Sequence, residues 1–195
     1  MIDLAVDLAG LRLATPLIGA SGVFGYGAEW GDVVDLRAFG AVVAKTVTAR
    51  PRAGNPPPRI VDAGCGVVNS IGLENVGCDG FVAANLPGLK LPCRLFASVG
   101  GDSVDDYRAA AAALKGAPGI DALEVNVSCP NVATGGITFG SRPESAAAVI
   151  AAVAGETDLP VVAKLPPLIA GIEEVARAAR EAGAAALTVA NTYPA

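Results

Sequence analysis

Residues 161–192, VVAKLPPLIAGIEEVARAAREAGAAALTVANT, contain a strand, a helix and a second strand in direct succession. The runs VVAKLP and ALTVAN are short and apolar, whereas IEEVARAAREAG has the apolar spacing of an amphipathic helix that ends at Gly183. Strands joined through a helix pair in parallel, with a right-handed crossover. The stretch therefore predicts a parallel sheet with helices packed against it.

The same alternation extends towards the N-terminus. Further strands are predicted in TPLIGAS, AVVAKTVT, LFASVG and ALEVNVS, and helices in DSVDDYRAAAAALKG and RPESAAAVIAAVAGET. Asp102 or Ser103 is the expected N-cap of the first helix, and Glu144 is expected in the first turn of the second. Continuously apolar strands indicate a sheet that is covered on both faces.

Two segments do not follow this alternation. DLAVDLAGLRL at the start of the chain predicts a hairpin that turns at Ala9-Gly10. Residues 50–75, RPRAGNPPPRIVDAGCGVVNSIGLEN, are rich in Pro and Gly and predict a long loop. Loops of that length inside a compact domain are usually functional.

Polar residues gather where the predicted strands end, and this distinguishes between two α/β architectures. A (β/α)₈ TIM barrel takes its catalytic groups from the C-terminal ends of several strands. A doubly wound sheet binds at one switch point, usually beside a glycine fingerprint that GASGVFGYG does not match. We therefore predict a single barrel domain over residues 1–195, incomplete with about six of its eight strands. The polar residues are Ser21, Lys45, Thr46, Ser98, Asn126, Lys164, Asn191 and Thr192.

Composition argues against several classes of partner. The formal charge is −5 and Lys and Arg do not cluster, so a nucleic-acid or anionic-membrane surface is not expected. The chain starts with Asp3 and Asp7 where a signal peptide would carry basic residues, and no apolar run is long enough to cross a bilayer. These features predict a cytoplasmic protein.

The chemistry available is limited because the chain has no histidine. This removes the usual general base and the commonest metal ligand. The four cysteines are widely separated, which predicts no zinc site, no iron–sulfur cluster and mostly buried, inert thiols. They are Cys65, Cys78, Cys93 and Cys129. The remaining candidates are Cys, Lys, Asp, Glu or a bound cofactor, without a metal.

Lys45 and Lys164 lie within apolar strand segments, where an unpaired ammonium group is costly. Each either pairs with a core carboxylate such as Glu124 or faces an anionic, electron-rich ligand. Asn69, Asn126, Asn131 and Asn191 are either turn residues or amide partners of a planar heterocycle. Cys129 is either a small core residue or a functional thiol that acts as a base without histidine.

Six motifs in this order identify a resemblance: ASGVFGYG, RAGNPPPRI, NSIGLEN, NVSCPNVATGG, VVAKLPP and VANT. Together they resemble the class 1 dihydroorotate dehydrogenases, and the GNPPPR segment resembles the NAD-using 1B branch. The resemblance implies an FMN-dependent TIM barrel of pyrimidine (UMP) biosynthesis that oxidises dihydroorotate to orotate. It also implies that the chain is truncated, lacking the last two strands and the Gly-rich loops that hold the FMN phosphate.

The resemblance also implies a role for each motif residue. Cys129 would be the base that removes a proton beside the carboxylate-bearing carbon, whose hydride goes to flavin N5. FMN would contact Ala20, Ser21, Lys45, Thr46, Ser98, Asn126, Lys164 and Ala190. The substrate would contact Lys45, Asn69, Ser70, Ile71, Gly72, Leu73, Asn126, Asn131, Asn191 and Thr192. The sequence departs from the family pattern at Ser98, where asparagine is usual, at Val67, where methionine is common, and in KLPPLIAG, which lacks the usual polar residues.

Partners follow from the 1B resemblance: an FAD and [2Fe–2S] electron-transfer subunit that passes electrons to NAD, and a homodimer within a heterotetramer. The alternatives are a tRNA-dihydrouridine synthase, which would need a basic RNA-binding surface, a non-catalytic truncated fragment, and a Rossmann-type NAD-binding protein. Retained FMN that responds to dihydroorotate would distinguish an enzyme from a fragment.

Overall fold

The structure is a computed structural model that describes residues 2–27, 29–128, 130–131, 137–167 and 170–193. Its strands are β1 Val6–Leu8, β2 Leu11–Leu13, β3 Ile18–Gly19, β4 Ala41–Val43, β5 Ile60–Asp62, β6 Val67–Asn69, β7 Arg94–Val99, β8 Ala122–Asn126, β9 Pro130–Asn131, β10 Ile137–Thr138, β11 Val161–Leu165 and β12 Ala186–Val189. Its α-helices are α1 Gly77–Gly80, which continues as a π-helix over Phe81–Asn85, α2 Val104–Leu114, α3 Pro143–Ala154 and α4 Ile172–Glu181. Short 3₁₀ turns cover Leu36–Ala38 and Phe139–Ser141.

The main sheet has six parallel strands in the order β12-β11-β8-β7-β4-β3. Each strand therefore lies beside the next main-sheet strand along the chain, whereas a doubly wound sheet reverses its order at a switch point. Helix α1 packs on α2, α2 on α3, and α3 on α4, so successive helices are neighbours too. The predicted incomplete TIM barrel is confirmed, and the Rossmann-type alternative is wrong.

Side chains that are two strands apart touch on one face of this sheet. Asn126 on β8 lies 3.4 Å from Thr46 beyond β4, and Glu124 on β8 lies 2.8 Å from Thr188 on β12. Neighbouring strands are about 4.8 Å apart, so a flat sheet would separate such positions by about 10 Å. The sheet is therefore curled towards this face, which is the interior of the partial barrel.

The two faces of the sheet bury different cores because side chains alternate along each strand. On β4, Val42 belongs to the core that packs against the helices, whereas Ala41 and Val43 point into the barrel. The interior cluster consists of Leu13, Ala41, Val43, Phe96, Ala122 and Val162. Leu8 and Leu11 of the β1–β2 hairpin pack on it. The hairpin thus fills the end of the barrel where the strands begin and leaves the opposite end for polar groups.

The predicted local signals of hairpin and helices are confirmed. Ala9 and Gly10 connect β1 to β2 with φ values of 54° and 81°, as expected for a two-residue hairpin turn. Ser103, rather than Asp102, caps α2, because its Oγ accepts the main-chain N–H of Asp106 at 3.1 Å. Glu144 lies in the first turn of α3.

The loop predicted over residues 50–75 contains a hairpin that the Pro/Gly pattern did not reveal. Strands β5 and β6 pair in antiparallel fashion and meet no other strand of the described structure. Val61 and Val68 stand opposite each other in this hairpin, and both are exposed. Alternating burial is the usual mark of a strand, so a hairpin with both faces open lacks the signal that predicts one.

The expectation of mostly buried cysteines is wrong for two of the three that the structure describes. Cys78 is buried, and desolvation raises its pKa to about 12. Cys93 is half-buried, and burial raises its pKa as well. Cys65 is exposed at the tip of the β5–β6 hairpin, where no core is near enough to cover it.

The described residues contain neither a helix suited to span a membrane nor a candidate metal site. No helix there has the length and apolarity that a membrane span requires. No group of three or more Cys, Asp or Glu side chains in the same ranges is placed to hold a metal ion.

Gly40, the residue before β4, provides a test of the packing. A Cβ atom there would lie 2.1 Å from the carbonyl oxygen of Thr15 and 2.8 Å from Cβ of Leu13. We expect Gly40→Ala to lower the free energy of unfolding by about 1–3 kcal/mol, because main chain must move to admit the methyl group. Urea unfolding measures the change. Gly66→Ala is the control, since no atom lies within 4 Å of its added Cβ; equal effects of the two changes would contradict the packing argument.

Candidate active site

A chain of hydroxyl and amide groups crosses the carboxyl ends of four strands inside the barrel. Ser21, after β3, donates to the carbonyl of Ala44 at 2.9 Å, and its Oγ lies 3.5 Å from Oγ1 of Thr46. Thr46 Oγ1 is 2.8 Å from Oγ of Ser98 on β7 and accepts a bond from Asn126 Nδ2 at 3.4 Å. The predicted strand ends imply that these groups meet at one end of the sheet, and the structure places them there.

Asn126 is the centre of this polar chain. Its Oδ1 accepts hydrogen bonds from Ser128 Oγ at 2.6 Å and from Asn191 Nδ2 at 3.3 Å. Its main-chain carbonyl accepts a bond from the hydroxyl of Tyr107 at 2.7 Å. The Asn126 side chain is buried, and bonds on both sides of its amide group fix the direction in which it points.

Lys164 and Glu124 form a buried ion pair below Asn126. Lys164 is 6% exposed and Glu124 is 2% exposed, and Nζ lies 4.0 Å from Oε1. Thr188 donates to the other carboxylate oxygen, Oε2, at 2.8 Å. Burial raises the pKa of Glu124, while the charge of Lys164 and the bond from Thr188 lower it in partial compensation. The predicted alternative of a core ion pair is therefore what the structure contains at Lys164.

Lys45 is placed differently from Lys164. It follows β4, which ends at Val43, instead of lying within the strand as predicted. Its Nζ is 4.0 Å from Oε2 of Glu74, and the same oxygen accepts a hydrogen bond from Arg59. Both members of the Lys45–Glu74 pair are partly exposed, so screening by water makes this pair weaker than the buried one.

The predicted substrate segment, residues 69–73, begins at the last residue of β6 and leads to Glu74. Ser70 is held by Asn55, whose Nδ2 donates to Ser70 Oγ at 2.8 Å. Gly72 has φ 72°, and an added Cβ would lie 2.5 Å from Oδ1 of the same Asn55. Leu73 lies near Gly100, the residue after β7, since a Cβ added to Gly100 would lie 3.7 Å from Cδ1 of Leu73. The segment is thus anchored at the same end of the barrel as the polar chain.

The structure brings some predicted residues together and leaves others apart. Ser21, Thr46, Ser98, Asn126 and Asn191 form one hydrogen-bonded set. Thr192 joins this set, because its main-chain N–H donates to Oδ1 of Asn191 at 2.8 Å. Other predicted residues, although described, lie outside the set: Ala20, Lys45, Asn69, Ser70, Ile71, Gly72, Leu73, Lys164 and Ala190. Cys129 lies outside the described residues, and Asn131 is described by its main chain, which pairs with Ile137 in β9–β10.

Two members of the site, Ser128 and Thr188, were not among the residues predicted from the sequence. Ser128 receives a hydrogen bond from Asn191 and donates to Asn126. Thr188 stands opposite Lys164 in the register of β11 and β12. Strand alternation could have identified Thr188, because it shares the inward face with Ala186, whereas Ser128 follows the end of β8 and leaves no periodic signal.

The available donors fit a ligand that is rich in acceptor atoms. The polar contact of the Lys164 ammonium group among the described residues is its ion pair with Glu124. The distance of 4.0 Å between Nζ and Oε1 is too long for a hydrogen bond. The N–H groups of Lys164 therefore remain free to donate. Oε1 of Glu124 is likewise a buried oxygen without a hydrogen bond in the described structure. The site as a whole combines an ammonium group with amides and hydroxyls at a barrel mouth.

Fold and site together define a protein of the (β/α)₈-barrel class, here with six strands and a polar candidate site at their carboxyl ends. The family model of dihydroorotate dehydrogenase matches residues 3–194, and the chain belongs to this family. A relative from Desulforudis audaxviator, a dihydroorotate dehydrogenase B (NAD(+)) catalytic subunit, is 48% identical over 195 residues, covering 100% of this chain and 64% of the relative.

Proteins with the same description in Geobacter sp. and Bacillus pumilus are 42% and 45% identical, covering 97% of this chain in each case. The matched regions are 63% and 61% of those two relatives. The chain thus spans less than two thirds of the length of these curated relatives. Strands β3 and β12 are the edges of its sheet, and Val189 on β12 is 67% exposed.

Proposed function

We propose that this chain is the larger part of an FMN-dependent dihydroorotate dehydrogenase, which oxidises dihydroorotate to orotate in pyrimidine biosynthesis. The observation that carries the proposal is the family match over residues 3–194, together with the hydrogen-bonded polar set at the barrel mouth. The tRNA-dihydrouridine synthase alternative lacks support, since the family match points to a different enzyme and the chain is acidic.

The residues fit FMN in position and chemistry. Lys164 offers an ammonium group with free N–H donors beside a curled wall of small polar groups. An isoalloxazine ring presents carbonyl oxygens and ring nitrogens, which accept such bonds. Lys164, Ser98, Thr46 and Ser21 would hold the ring, and Ala20 and Ala190 would contact it from the flanking strand ends. FMN, when bound, supplies the acceptor for the hydride that leaves the substrate.

The substrate is an anionic ring with amide-like edges, and the mouth offers matching groups. Lys45 is partly exposed and would attract the carboxylate of dihydroorotate. Asn126 and Asn191 would bind the ring edges, together with Asn131 and the segment of residues 69–73. Hydrogen bonds hold the Asn126 side chain in one orientation before a ligand binds. Binding therefore costs little additional conformational entropy at this residue.

Cys129 would act as the general base in the proposed reaction. It would take the proton from the ring carbon next to the carboxylate-bearing carbon. The remaining electron pair would form the carbon–carbon double bond of orotate as the carboxylate-bearing carbon gives up its hydride. The chain has no histidine, and thiolate is the nucleophilic and basic form of cysteine. Cationic lysines at the mouth would favour that form.

Partners are proposed from the description of the relatives as catalytic subunits of an NAD(+)-dependent enzyme. A second subunit with FAD and a [2Fe–2S] cluster would carry electrons from this subunit to NAD. Within the described ranges, no group of cysteines could hold such a cluster, so the electron-transfer cofactors would belong to the partner. Two copies of the catalytic subunit would pair within the complex.

The visible absorption spectrum tests the proposed function directly. The purified chain is mixed with FMN, desalted, and then mixed with dihydroorotate without oxygen. We expect retained flavin that bleaches on addition of dihydroorotate.

Dihydrouracil, which lacks the carboxylate, is the matched control and should bleach the flavin far more slowly. Retained flavin that does not respond to dihydroorotate would contradict the proposed substrate. Failure to retain flavin would favour the alternative of a non-catalytic fragment, for which the short coverage of the relatives and the exposed outer face of β12 are the supporting observations.

A further inference from the structure

Glu124 is a buried carboxylate that has no role in the proposed reaction. Its carboxylate is 2% exposed, in the barrel interior below the polar mouth. One oxygen is anchored by Thr188 at 2.8 Å, while the other has no hydrogen bond among the described residues and lies 4.0 Å from Lys164 Nζ. Burying a carboxylate that has one oxygen without a hydrogen bond costs free energy, so the presence of Glu124 in the core requires an explanation.

The register of the strands places this carboxylate behind the lysine. Glu124 precedes Asn126 on the same face of β8, and Asn126 stands opposite Lys164 in the pairing of β8 with β11. Thr188 stands opposite Lys164 on the other side, in the pairing of β11 with β12. The carboxylate is thus tied to both strands that flank Lys164, and it restrains the ammonium group from below the level of Asn126.

Glu124 is the counter-ion of Lys164 at this level of the interior. On β7, its neighbour in register is Ser98, which carries no charge. Thr188 and Asn126 are neutral as well, and Lys45 is paired with Glu74 instead. At 4.0 Å the attraction remains strong in a low-dielectric interior, yet no N–H of the lysine is used in a hydrogen bond to the carboxylate.

We propose that Glu124 is a positioning residue that fixes the Lys164 ammonium group by charge while leaving its N–H donors available to the cofactor. The proposal rests on the proposed function for the identity of that cofactor. A lysine without this restraint would sample several rotamers, and binding would then have to order its side chain. An acceptor-rich ring meets a lysine whose orientation is already set, as in other preorganised sites.

NMR of the lysine side chains tests this without any cofactor. The chain has four lysines, Lys45, Lys90, Lys115 and Lys164, so a ¹³C-lysine-labelled sample gives four ε-CH₂ groups. Lys164→Arg assigns the signal of interest. In the unchanged chain, we expect two separate Hε resonances for Lys164, because a fixed ammonium group holds its ε protons in different surroundings. In Glu124→Gln, which keeps the shape and can still bond to Thr188, we expect the two resonances to merge.

The control is Glu144→Gln, which removes one negative charge from the exposed first turn of α3. It should leave the Lys164 signals as they are. Thr188→Val keeps the charge of Glu124 but removes its anchor, and it should narrow the separation of the two Hε resonances without merging them. Unchanged Lys164 resonances in both Glu124→Gln and Thr188→Val would overturn the proposal, whatever the chain does with flavin.

The affinity for FMN, measured by quenching of flavin fluorescence, connects the restraint to binding. We expect Glu124→Gln to weaken FMN binding about tenfold, because binding would then have to order a free lysine side chain, and the lost conformational entropy corresponds to a change in affinity of about that size. Merged Lys164 resonances with unchanged FMN affinity would refute the positioning role. Absence of FMN binding by the unchanged chain would count against the proposed function, while the NMR comparison would still decide whether Glu124 fixes Lys164.

Discussion

Replacing Cys129 with alanine is expected to leave FMN bound and to slow its reduction by dihydroorotate about 10²–10⁴-fold. This is the usual contribution of a positioned general base. The chain has no histidine to take over the proton, so little rescue is expected from neighbouring groups. Stopped-flow absorbance of the FMN-loaded protein, mixed with dihydroorotate without oxygen, measures the rate of bleaching.

Cys93→Ala is the matched control for this experiment. Cys93 is half-buried just before β7, at the end of the strands opposite to the polar mouth. Its replacement should therefore leave the bleaching rate unchanged. Full-speed reduction of flavin in Cys129→Ala would end the assignment of the base. Loss of flavin from that variant would instead assign a binding role to the cysteine.

The second large effect is expected from Lys164→Met in the chain without cofactor. Removing one member of a buried ion pair leaves the other charge uncompensated, which typically costs about 3–5 kcal/mol. Lys164 and Glu124 are both buried, and Oε1 of Glu124 would then face no cation. Urea unfolding at neutral pH should therefore show a loss of stability of this order.

The dependence on pH follows from the pKa of Glu124. Burial already raises this pKa, and Lys164 lowers it in partial compensation, so Lys164→Met should raise it further. A carboxyl group whose folded-state pKa is raised contributes most stability below its unfolded pKa of about 4.3, and that stability is lost as pH rises through the folded-state pKa. The penalty in Lys164→Met should therefore be small near about pH 4 and should grow as the pH rises towards neutral.

The double variant Glu124→Gln/Lys164→Met completes this test. It removes both charges, so it should be more stable at neutral pH than Lys164→Met alone. Additive losses in the double variant would show that the two side chains do not interact. A penalty in Lys164→Met that stays constant between acidic and neutral pH would show that Glu124 is not the charge left uncompensated.

Local sequence signals predicted most of the architecture. Apolar strand segments, Ala-rich helices and the Ala9-Gly10 turn each depend on neighbours in the chain, and the structure confirms them. The hairpin of β5 and β6 was missed because the exposed Ile60, Val61, Val67 and Val68 leave no alternation of burial to read. Main-chain pairing, and not a buried face, defines these strands.

The candidate site was predictable in its composition but not in its connections. Polar residues at strand ends indicate a common mouth, because parallel strands place their carboxyl ends together. Which groups bond to each other depends on the curl of the sheet, which brings Thr46 to Asn126 and Glu124 to Thr188 across intervening strands. No local pattern encodes these approaches, since the partners are 80 and 64 residues apart.

The sequence by itself determined the barrel class, the family resemblance and the set of residues available for chemistry, since these depend on periodicity and on residue types in order. Tertiary structure decided which carboxylate lies beside each lysine: Glu124 beside Lys164 in the core, and Glu74 beside Lys45 at the mouth. The physical reason is that the energy of a charge depends on its burial and on the distance to its counter-ion. Both quantities arise when strands that are distant in sequence curl around one interior.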